Sequence, residues 1–267
     1  MNRRELLAST LAAPAWAGPA GLRSHSASQG DASPSREYYE LRFYHLRRGP
    51  QTKLMDEFLE TTAIPAWNRL GIGPVGVFRI TVGPQSPSVY VLLPAKSLET
   101  LALSGTRLAA NGDMAKAAAY WDAAPSSPAY LRQESSLMIA FENFPKLEIP
   151  AGAGEKRPRI FELRTYENHS EKAHLKKIEM FNQGEISIFR RTGLRAVFFG
   201  DTLIGSRLPN LTYMLVFDDL VTRDKVWSTF ANDPEWKKLS TAPGYGDGEI
   251  VSNITNLLLS PAPYSQI

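Results

Sequence analysis

The sequence of 267 residues contains no cysteine and only four histidines. The absence of cysteine excludes disulfide bonds, thiol nucleophiles, iron–sulfur clusters, cysteine-ligated zinc and a lipid anchor on an N-terminal cysteine. The histidines are not spaced as metal ligands, because His169 and His174 lie at i and i+5 and do not share one face of a helix. The sequence therefore predicts neither a bound metal nor a cofactor.

A strong net charge and long apolar segments are also lacking. The formal net charge is +3, and beyond the first two dozen residues the chain holds 27 basic and 26 acidic residues. Without a basic stripe interleaved with aromatic residues, the charge pattern excludes nucleic-acid binding. After its N-terminal segment the chain has no run approaching the roughly 18 apolar residues of a membrane-spanning helix, so the mature protein is predicted to lack one.

The N-terminus has the layout of a secretory signal. Arg3 and Arg4 precede a mostly apolar stretch over Leu6–Trp16, and Ala15 and Ala17 supply small residues at a cleavage point. We expect a signal peptide over residues 1–17, of the twin-arginine type, and export to the periplasm or beyond the cell. The alternative is an amphipathic or disordered N-terminal tail. The segment 18–36 is rich in small and polar residues and is predicted to be a disordered tether.

The rest of the chain repeats itself. The segment Tyr39–Tyr44 recurs 122 residues later as Phe161–Tyr166. Further matches at nearly the same offset are Ile64, Trp67, Arg69 and Gly71 with Ile186, Phe189, Arg191 and Gly193, and Val89–Leu92 with Thr212–Leu215. Because a period of about 120 residues suits a domain, we predict domains over 37–143 and 159–260, joined by a linker over 144–158 that is rich in proline and glycine.

Each copy predicts the same order of elements, β-α-β-β-α-β. An alternating strand is followed by a helix, two strands, further helix and a last strand. The expected strands after each first helix are 75–82, 88–93 and 136–141, then 194–200, 211–217 and 250–259, with second helices over 97–111 and 220–232. This order is the ferredoxin-like α+β plan, which leaves one sheet face bare. Two copies can cover these faces by packing sheet to sheet, which predicts an intramolecular α+β barrel.

The opening strand of each copy carries the candidate functional residues. Period-two alternation places Leu41 and Phe43 on one face, which we expect to pack on the helices. The opposite face then points into the space between the two sheets, and it carries the candidate pocket residues Glu40, Arg42, Tyr44, Glu162, Arg164 and Tyr166. One interpretation is a structural network in which arginine pairs with glutamate across the pseudo-twofold axis. The other is a polar pocket whose arginines hold a carboxylate or enolate while a tyrosine or glutamate moves a proton.

Several motifs of the second copy together resemble the NIPSNAP family, within the dimeric α+β barrel group. They are Glu162-Leu163-Arg164 with Tyr166, Thr192-Gly193-Leu194, the Gly205–Asn210 hairpin, Phe217-Asp218-Asp219-Leu220 with Arg223, and Asn232-Asp233-Pro234-Glu235-Trp236. The first copy keeps Glu40-Leu41-Arg42 with Tyr44 but has Ser88 in place of Asn210. The resemblance implies the barrel fold and no catalytic residue, although the wider group includes small monooxygenases, isomerase-like enzymes and haem-handling proteins.

Three classes of function stay open at this point. The first is the binding of a small, partly apolar or anionic molecule between the sheets, and the second is a cofactor-independent monooxygenase or isomerase. The third is a structural or protein-interaction module. An enzyme requires an open cavity beside Arg42, Arg164, Tyr44 or Tyr166 with a titratable group left unpaired. The sequence determines neither the identity of the ligand nor whether the chain forms a homo-oligomer.

Overall fold

The computed structural model of the protein describes residues 35–110, 112–155 and 157–267. The predicted signal peptide and nearly all of the predicted tether lie outside these residues. The strands of the first half are β1 (Tyr38–His45), β2 (Gly76–Val82), β3 (Ser88–Ala95) and β4 (Arg132–Ala140). Those of the second half are β5 (Ile160–Glu167), β6 (Arg195–Ile204), β7 (Asn210–Phe217) and β8 (Asn253–Pro261).

Helices connect the strands in the order that the repeat predicts. The first half contains α1 (Pro50–Phe58), α2 (Ile64–Arg69), α3 (Leu98–Ala102), α4 (Ser104–Ala110) and α5 (Ala118–Trp121). The second contains α6 (Glu171–Met180), α7 (Ile186–Thr192), α8 (Leu220–Asn232), α9 (Pro234–Ser240) and α10 (Asp247–Ile250). One π-helical turn joins α1 to α2 over Leu59–Ala63, and another joins α6 to α7 over Phe181–Glu185. Across the described ranges, every helix is too short or too polar to cross a bilayer.

The helix ends follow local side-chain chemistry. Ser170 accepts a hydrogen bond from the amide of Ala173 at the start of α6, and Asp219 caps α8 in the same way. Pro50 occupies the first turn of α1, where its missing N–H is not needed. Gly193 ends α7 at φ 91°, a left-handed conformation that favours glycine.

The eight strands form one closed barrel. The first half contributes the order β4-β1-β3-β2 and the second the order β8-β5-β7-β6. Antiparallel pairing of β2 with β8 and of β4 with β6 joins the two sheets at both seams. The predicted pair of ferredoxin-like halves packed as an intramolecular α+β barrel is confirmed.

Some element bounds differ from the predicted ones. The helix predicted over 97–111 divides into α3 and α4 at Leu103, and β8 begins at Asn253 because residues 247–250 form α10. Strand β4 begins at Arg132, where it pairs with His45 of β1, although its first residues are exposed and polar.

Apolar side chains fill three layers: the interior of the barrel and one space between sheet and helices in each half. Leu41 and Leu163 belong to the interior core, together with Tyr39 and Phe161. Tyr44 instead packs with the first-half helices, and Tyr166 with the second-half helices. The predicted orientation of the opening strands is therefore wrong. Both faces of a barrel strand are buried, so alternation separates the two faces without showing which one the helices cover.

Candidate functional site

One end of the barrel is sealed by chain segments. The amides of Ala262 and Gln266 donate to the carbonyls of Val77 and Val75, so the segment after β8 runs along β2. The side chain of Ile267 is fully buried in the interior core. The segment between the two halves crosses the same end. There the amide of Leu147 donates to a carboxylate oxygen of Glu37, just before β1, at 2.8 Å.

The other end of the barrel is open and leads into a cavity of about 690 Å³. This volume falls within the range of about 300–1,000 Å³ that is typical of small-molecule sites. The cavity lies between the two sheets, as the binding hypothesis requires, but the residues that line it are not the predicted pocket residues. Its interior is formed by Leu41, Phe43, Tyr90, Ser136, Leu163, Thr165, Thr212 and Leu257, and its rim by Pro84, Gln85, Glu134, Ser135, Gly205, Ser206, Arg207, Asn210 and Thr255.

The two halves contribute different walls to this cavity. In the first half, Phe43 and Tyr90 are cross-strand partners whose rings stack, with centroids 4.2 Å apart and planes 11° apart. In the second half, Thr165 and Thr212 are the equivalent cross-strand pair, and their hydroxyl groups lie 3.0 Å apart. The strand register thus aligns Tyr90 with Thr212, so the match of Val89–Leu92 with Thr212–Leu215 predicted from the sequence is one residue out. The repeat thus gives the cavity one aromatic wall and one hydroxyl-bearing wall.

Two equivalent hairpins lie at the rim of the open end. Gln85 in the β2–β3 hairpin has φ 67°, and Arg207 in the β6–β7 hairpin has φ 60°. Elsewhere in the described ranges, every positive φ belongs to glycine. Backbone in this region is unfavourable for most residues, and it is concentrated at functional sites. Asn210 stabilises its turn by donating to the carbonyls of Ser206 and Arg207 at 2.9 and 3.0 Å.

The rim carries paired charges. Arg207 donates from Nη1 to Glu167 at 3.2 Å and to the hydroxyl of Thr255 at 3.0 Å. On the first-half side, Glu134 lies 2.7 Å from Nε2 of His45, which is buried beside the Phe43 ring. The burial of His45 depends on the pairing of β4 with β1.

Tyr90 is the titratable group inside the cavity. Burial raises its pKa to about 12, with the Glu134 carboxylate adding to the increase and Arg207 opposing it. Tyr90 therefore keeps its phenolic proton at neutral pH and can donate a hydrogen bond to an oxygen of a bound molecule.

The predicted pocket residues of the first half lie behind the sheet, facing the helices. Arg42 donates from Nε and Nη2 to the two carboxylate oxygens of Glu40, at 2.8 and 2.9 Å. The same Nη2 reaches the hydroxyl of Ser104 on α4, and the guanidinium lies 5.2 Å from the ring of Trp67. The fork joins residues of one strand, so the predicted pairing across the pseudo-twofold axis is wrong.

Their counterparts in the second half form a denser network around Glu162, whose side chain is fully buried. Its carboxylate accepts five hydrogen bonds of 2.7–2.9 Å from Arg164, Arg223, Trp227 and Asn256, with Arg223 donating twice. Burial acts to raise the pKa of Glu162, but the hydrogen bonds and neighbouring guanidinium charges outweigh it and hold that pKa below its ordinary value. Arg164 also donates to the hydroxyl of Tyr166 at 3.1 Å.

A second buried ion pair lies beside this network, and the first half lacks its equivalent. Lys177 donates to Glu185 at 3.2 Å, and both side chains are almost completely buried. At the equivalent positions the first half has the apolar residues Met55 and Ala63, which pack in its helix-facing core. Burial raises the pKa of Glu185, while the charge of Lys177 opposes that rise. Among the residues that the structure describes, no group of three or more histidine, aspartate or glutamate side chains could hold a metal ion.

These features define the class of protein: a single-chain α+β barrel built from two ferredoxin-like halves, with one sealed end and one open end. The family model described as NIPSNAP matches residues 39–142 and 161–266, which covers both halves. The chain therefore belongs to the NIPSNAP family. No curated protein matches it.

Two solved structures show the same fold at low sequence identity. A protein from Fusobacterium nucleatum named as a candidate monooxygenase has a TM-score of 0.57 and 8% identity, covering 85% of this chain and 93% of its own. An anthrone oxidase-like protein has a TM-score of 0.50 and 11% identity, over 86% and 93% of the two chains. A NIPSNAP-like domain protein from Burkholderia xenovorans has 22% identity and a TM-score of 0.35, over 39% of this chain and 85% of its own.

Proposed function

We propose that the protein binds a small, partly apolar molecule bearing an anionic or other oxygen-containing group in the open end of its barrel. The observation that carries this proposal is the unequal lining of the cavity between the sheets. An aromatic wall lies on one side and a pair of threonine hydroxyls on the other.

The unequal walls favour an amphipathic ligand. The stacked rings of Phe43 and Tyr90 offer a flat apolar surface on which a ring or unsaturated chain can pack. The hydroxyl groups of Thr165 and Thr212 can donate or accept, so they suit a polar substituent. Of the three guanidinium nitrogens of Arg207, only Nη1 is hydrogen-bonded to a residue that the structure describes. The other nitrogens can therefore donate to an anionic group at the rim.

Binding accounts for the site better than catalysis by the predicted residues does. The enzyme hypothesis needs an open cavity beside Arg42, Arg164, Tyr44 or Tyr166. All four side chains face the helices instead, and both guanidinium groups are paired with glutamate. The oxygenase-like neighbours are 8–11% identical over the matched lengths and share the fold alone.

Fluorescence titration with 1-anilinonaphthalene-8-sulfonate tests the proposed site. The probe is aromatic and anionic, and its emission rises when it leaves water. Thr165→Phe introduces the residue of the first-half wall into the cavity, so we expect it to weaken probe binding at least tenfold. Arg207→Gln introduces the residue of the first-half hairpin and removes one charge-assisted contact, which is worth about 1.5–3 kcal/mol, or roughly ten- to a hundredfold in affinity.

The matched control is Leu175→Phe, because Leu175 lies on α6 with 64% of its surface exposed. This variant should bind the probe as the unmodified protein does. Equal affinity in Thr165→Phe and the control would refute the barrel site. Native mass spectrometry of the protein purified from its source would then identify any retained ligand and report its mass.

We also propose that the protein is exported. The support is the N-terminal sequence, in which Arg3 and Arg4 precede the apolar stretch Leu6–Trp16.

A further inference from the structure

A second cavity lies outside the barrel, between α7 and the outer face of the second-half sheet. Its volume is about 330 Å³, and the chain segment 149–151 forms its outer wall. Five apolar residues that line it belong to the helix-facing core of this half and are at most 4% exposed: Phe144, Ile186, Phe189, Leu194 and Phe199. A cavity with an apolar lining takes up apolar molecules in preference to water.

The outer wall of this cavity is attached to both the sheet and the helix. The amide of Glu148 donates to the carbonyl of Val197 on β6 at 2.9 Å. Its carboxylate accepts hydrogen bonds from Nη1 and Nη2 of Arg190 on α7, at 3.3 and 2.6 Å. The same guanidinium lies 5.0 Å from the ring of Phe144. These contacts hold the segment after Glu148 across the space between α7 and β6, so the cavity is covered on this side.

The repeat shows that this lining is special to the second half. The equivalent place in the first half is a more open hollow over residues 71–74, lined also by Asn68 and Gln266. Asn68 stands where the second half has Arg190, and Gly73 stands where it has Arg195. Among the described residues, no aromatic side chain lines the first-half hollow. The aromatic lining and both arginines therefore belong to the second half alone.

The mouth of the cavity has more basic than acidic groups. Arg190, Arg195 and Glu148 all line it, and Arg190 is paired with Glu148. Arg195 donates from Nη2 to Asp218 at 2.8 Å, and Asp218 is not part of the lining. The other guanidinium nitrogens of Arg195 are hydrogen-bonded to no residue that the structure describes. Arg195 therefore has donors left for an anionic group at the mouth.

We propose that this second cavity binds a small apolar carboxylic acid, with its hydrocarbon part against Phe189 and Phe199 and its carboxylate at Arg195. An engineered apolar cavity of about 150 Å³ takes up benzene, so a cavity about twice as large suits a ring system or chain of about ten non-hydrogen atoms. The polar group stays at the mouth, because the apolar lining offers it no hydrogen-bond partner. The site is separate from the open-end cavity, since Phe199 faces the helices and not the barrel interior.

Titration calorimetry with naphthalene-2-carboxylate tests the proposal. The titrations use the Thr165→Phe protein, whose open-end cavity is obstructed, so that a failure of the open-end site leaves their outcome unchanged. Ala196 lines the second cavity on β6, and Ala196→Leu fills part of the space. We expect this change to weaken binding about tenfold or more. The matched control is Leu175→Phe on the exposed face of α6, which should bind the probe as tightly as the Thr165→Phe protein does.

Arg195→Gln tests the part of the proposal that concerns charge. The side chain of Arg195 is 45% exposed, so we expect the carboxylate probe to bind roughly two- to fivefold more weakly. The neutral probe naphthalene-2-carboxamide should bind Arg195→Gln and its parent equally. The proposal is overturned if Ala196→Leu binds the carboxylate as tightly as the control does, if the Thr165→Phe protein binds none, or if Arg195→Gln leaves the carboxylate affinity unchanged.

Crystals of the unmodified protein soaked in 6-bromonaphthalene-2-carboxylate give a readout that does not depend on the folding of a variant. An anomalous bromine peak between α7 and β6, together with binding in solution, supports the site. A peak confined to the barrel interior contradicts it. A peak at the site without measurable affinity in solution is binding at crystal concentration only, and it also contradicts the proposal.

Discussion

Replacing Glu162 by glutamine removes the charge at the centre of the second-half network and leaves its surroundings in place. Five hydrogen bonds converge on this fully buried carboxylate, and two of the donor side chains are the guanidinium groups of Arg164 and Arg223. Glutamine offers one acceptor oxygen, and its amide nitrogen would face N–H donors. Breaking a buried ion pair from one side costs about 3–5 kcal/mol, since the partner charges stay buried.

The repeat supplies the matched control, Glu40→Gln. Glu40 occupies the equivalent position, but its side chain is 13% exposed and accepts three hydrogen bonds, from Arg42 and Ser135. After the change Arg42 keeps its bond to Ser104, so we expect a loss of about 1.5–3 kcal/mol, as for a single charged hydrogen bond. Urea unfolding followed by tryptophan fluorescence and circular dichroism measures both losses. Equal losses, or a loss below about 1 kcal/mol in Glu162→Gln, would refute the reasoning.

The pH dependence gives a second check on the same residue. The pKa of Glu162 is held below its ordinary value, so its stabilising effect is fully present above the carboxyl pKa of the unfolded chain, about 4.3. That effect is lost as the pH falls through the lower pKa of the folded state. The difference in unfolding free energy between the unmodified protein and Glu162→Gln should therefore stay constant above about pH 6 and shrink in acid.

Two further predictions follow from the asymmetry between the halves and from the N-terminus. Lys177→Met should destabilise the protein by about 3–5 kcal/mol because Glu185 stays buried and unpaired, whereas the double variant Lys177→Met/Glu185→Ala, which restores the first-half residues, should match or exceed the original stability. Urea unfolding of the unmodified protein and the two variants tests this, and a double variant at least as destabilised as Lys177→Met would contradict it. Arg3→Lys/Arg4→Lys should keep the protein in the cytoplasm, which cell fractionation measures. Normal export of this variant would exclude the twin-arginine route but not secretion.

The repeated Glu-Leu-Arg strand was sufficient to predict the order of elements and the joining of two sheets into a barrel. It was not sufficient to orient them. Leu41 and Tyr44 lie on opposite faces of β1 and are both buried, so hydrophobic alternation carries no information about which face meets the helices. The prediction placed the face that carries Glu40, Arg42 and Tyr44 in the barrel interior. The candidate pocket residues were therefore placed on the wrong side of the sheet.

The cavity at the open end left a weaker signal in the sequence. Phe43 and Thr165 differ at equivalent positions, and a comparison of the two copies residue by residue would have marked both as lining residues that diverged. Arg207 and Gln85 are also equivalent, but their left-handed backbone depends on hairpin geometry that neither residue type predicts. Lys177 gave no signal of burial, because lysine on a helix is usually exposed.

The joining of both halves in one polypeptide has a consequence for how such a barrel can diverge. In a barrel made from two identical chains, every substitution occurs on both sides of the twofold axis, so an aromatic wall would face a second aromatic wall. Here a substitution changes one side alone. Gene duplication followed by fusion thus allowed Phe43 and Thr165 to diverge separately, and it lets selection adjust each side of the barrel to a different part of an asymmetric molecule.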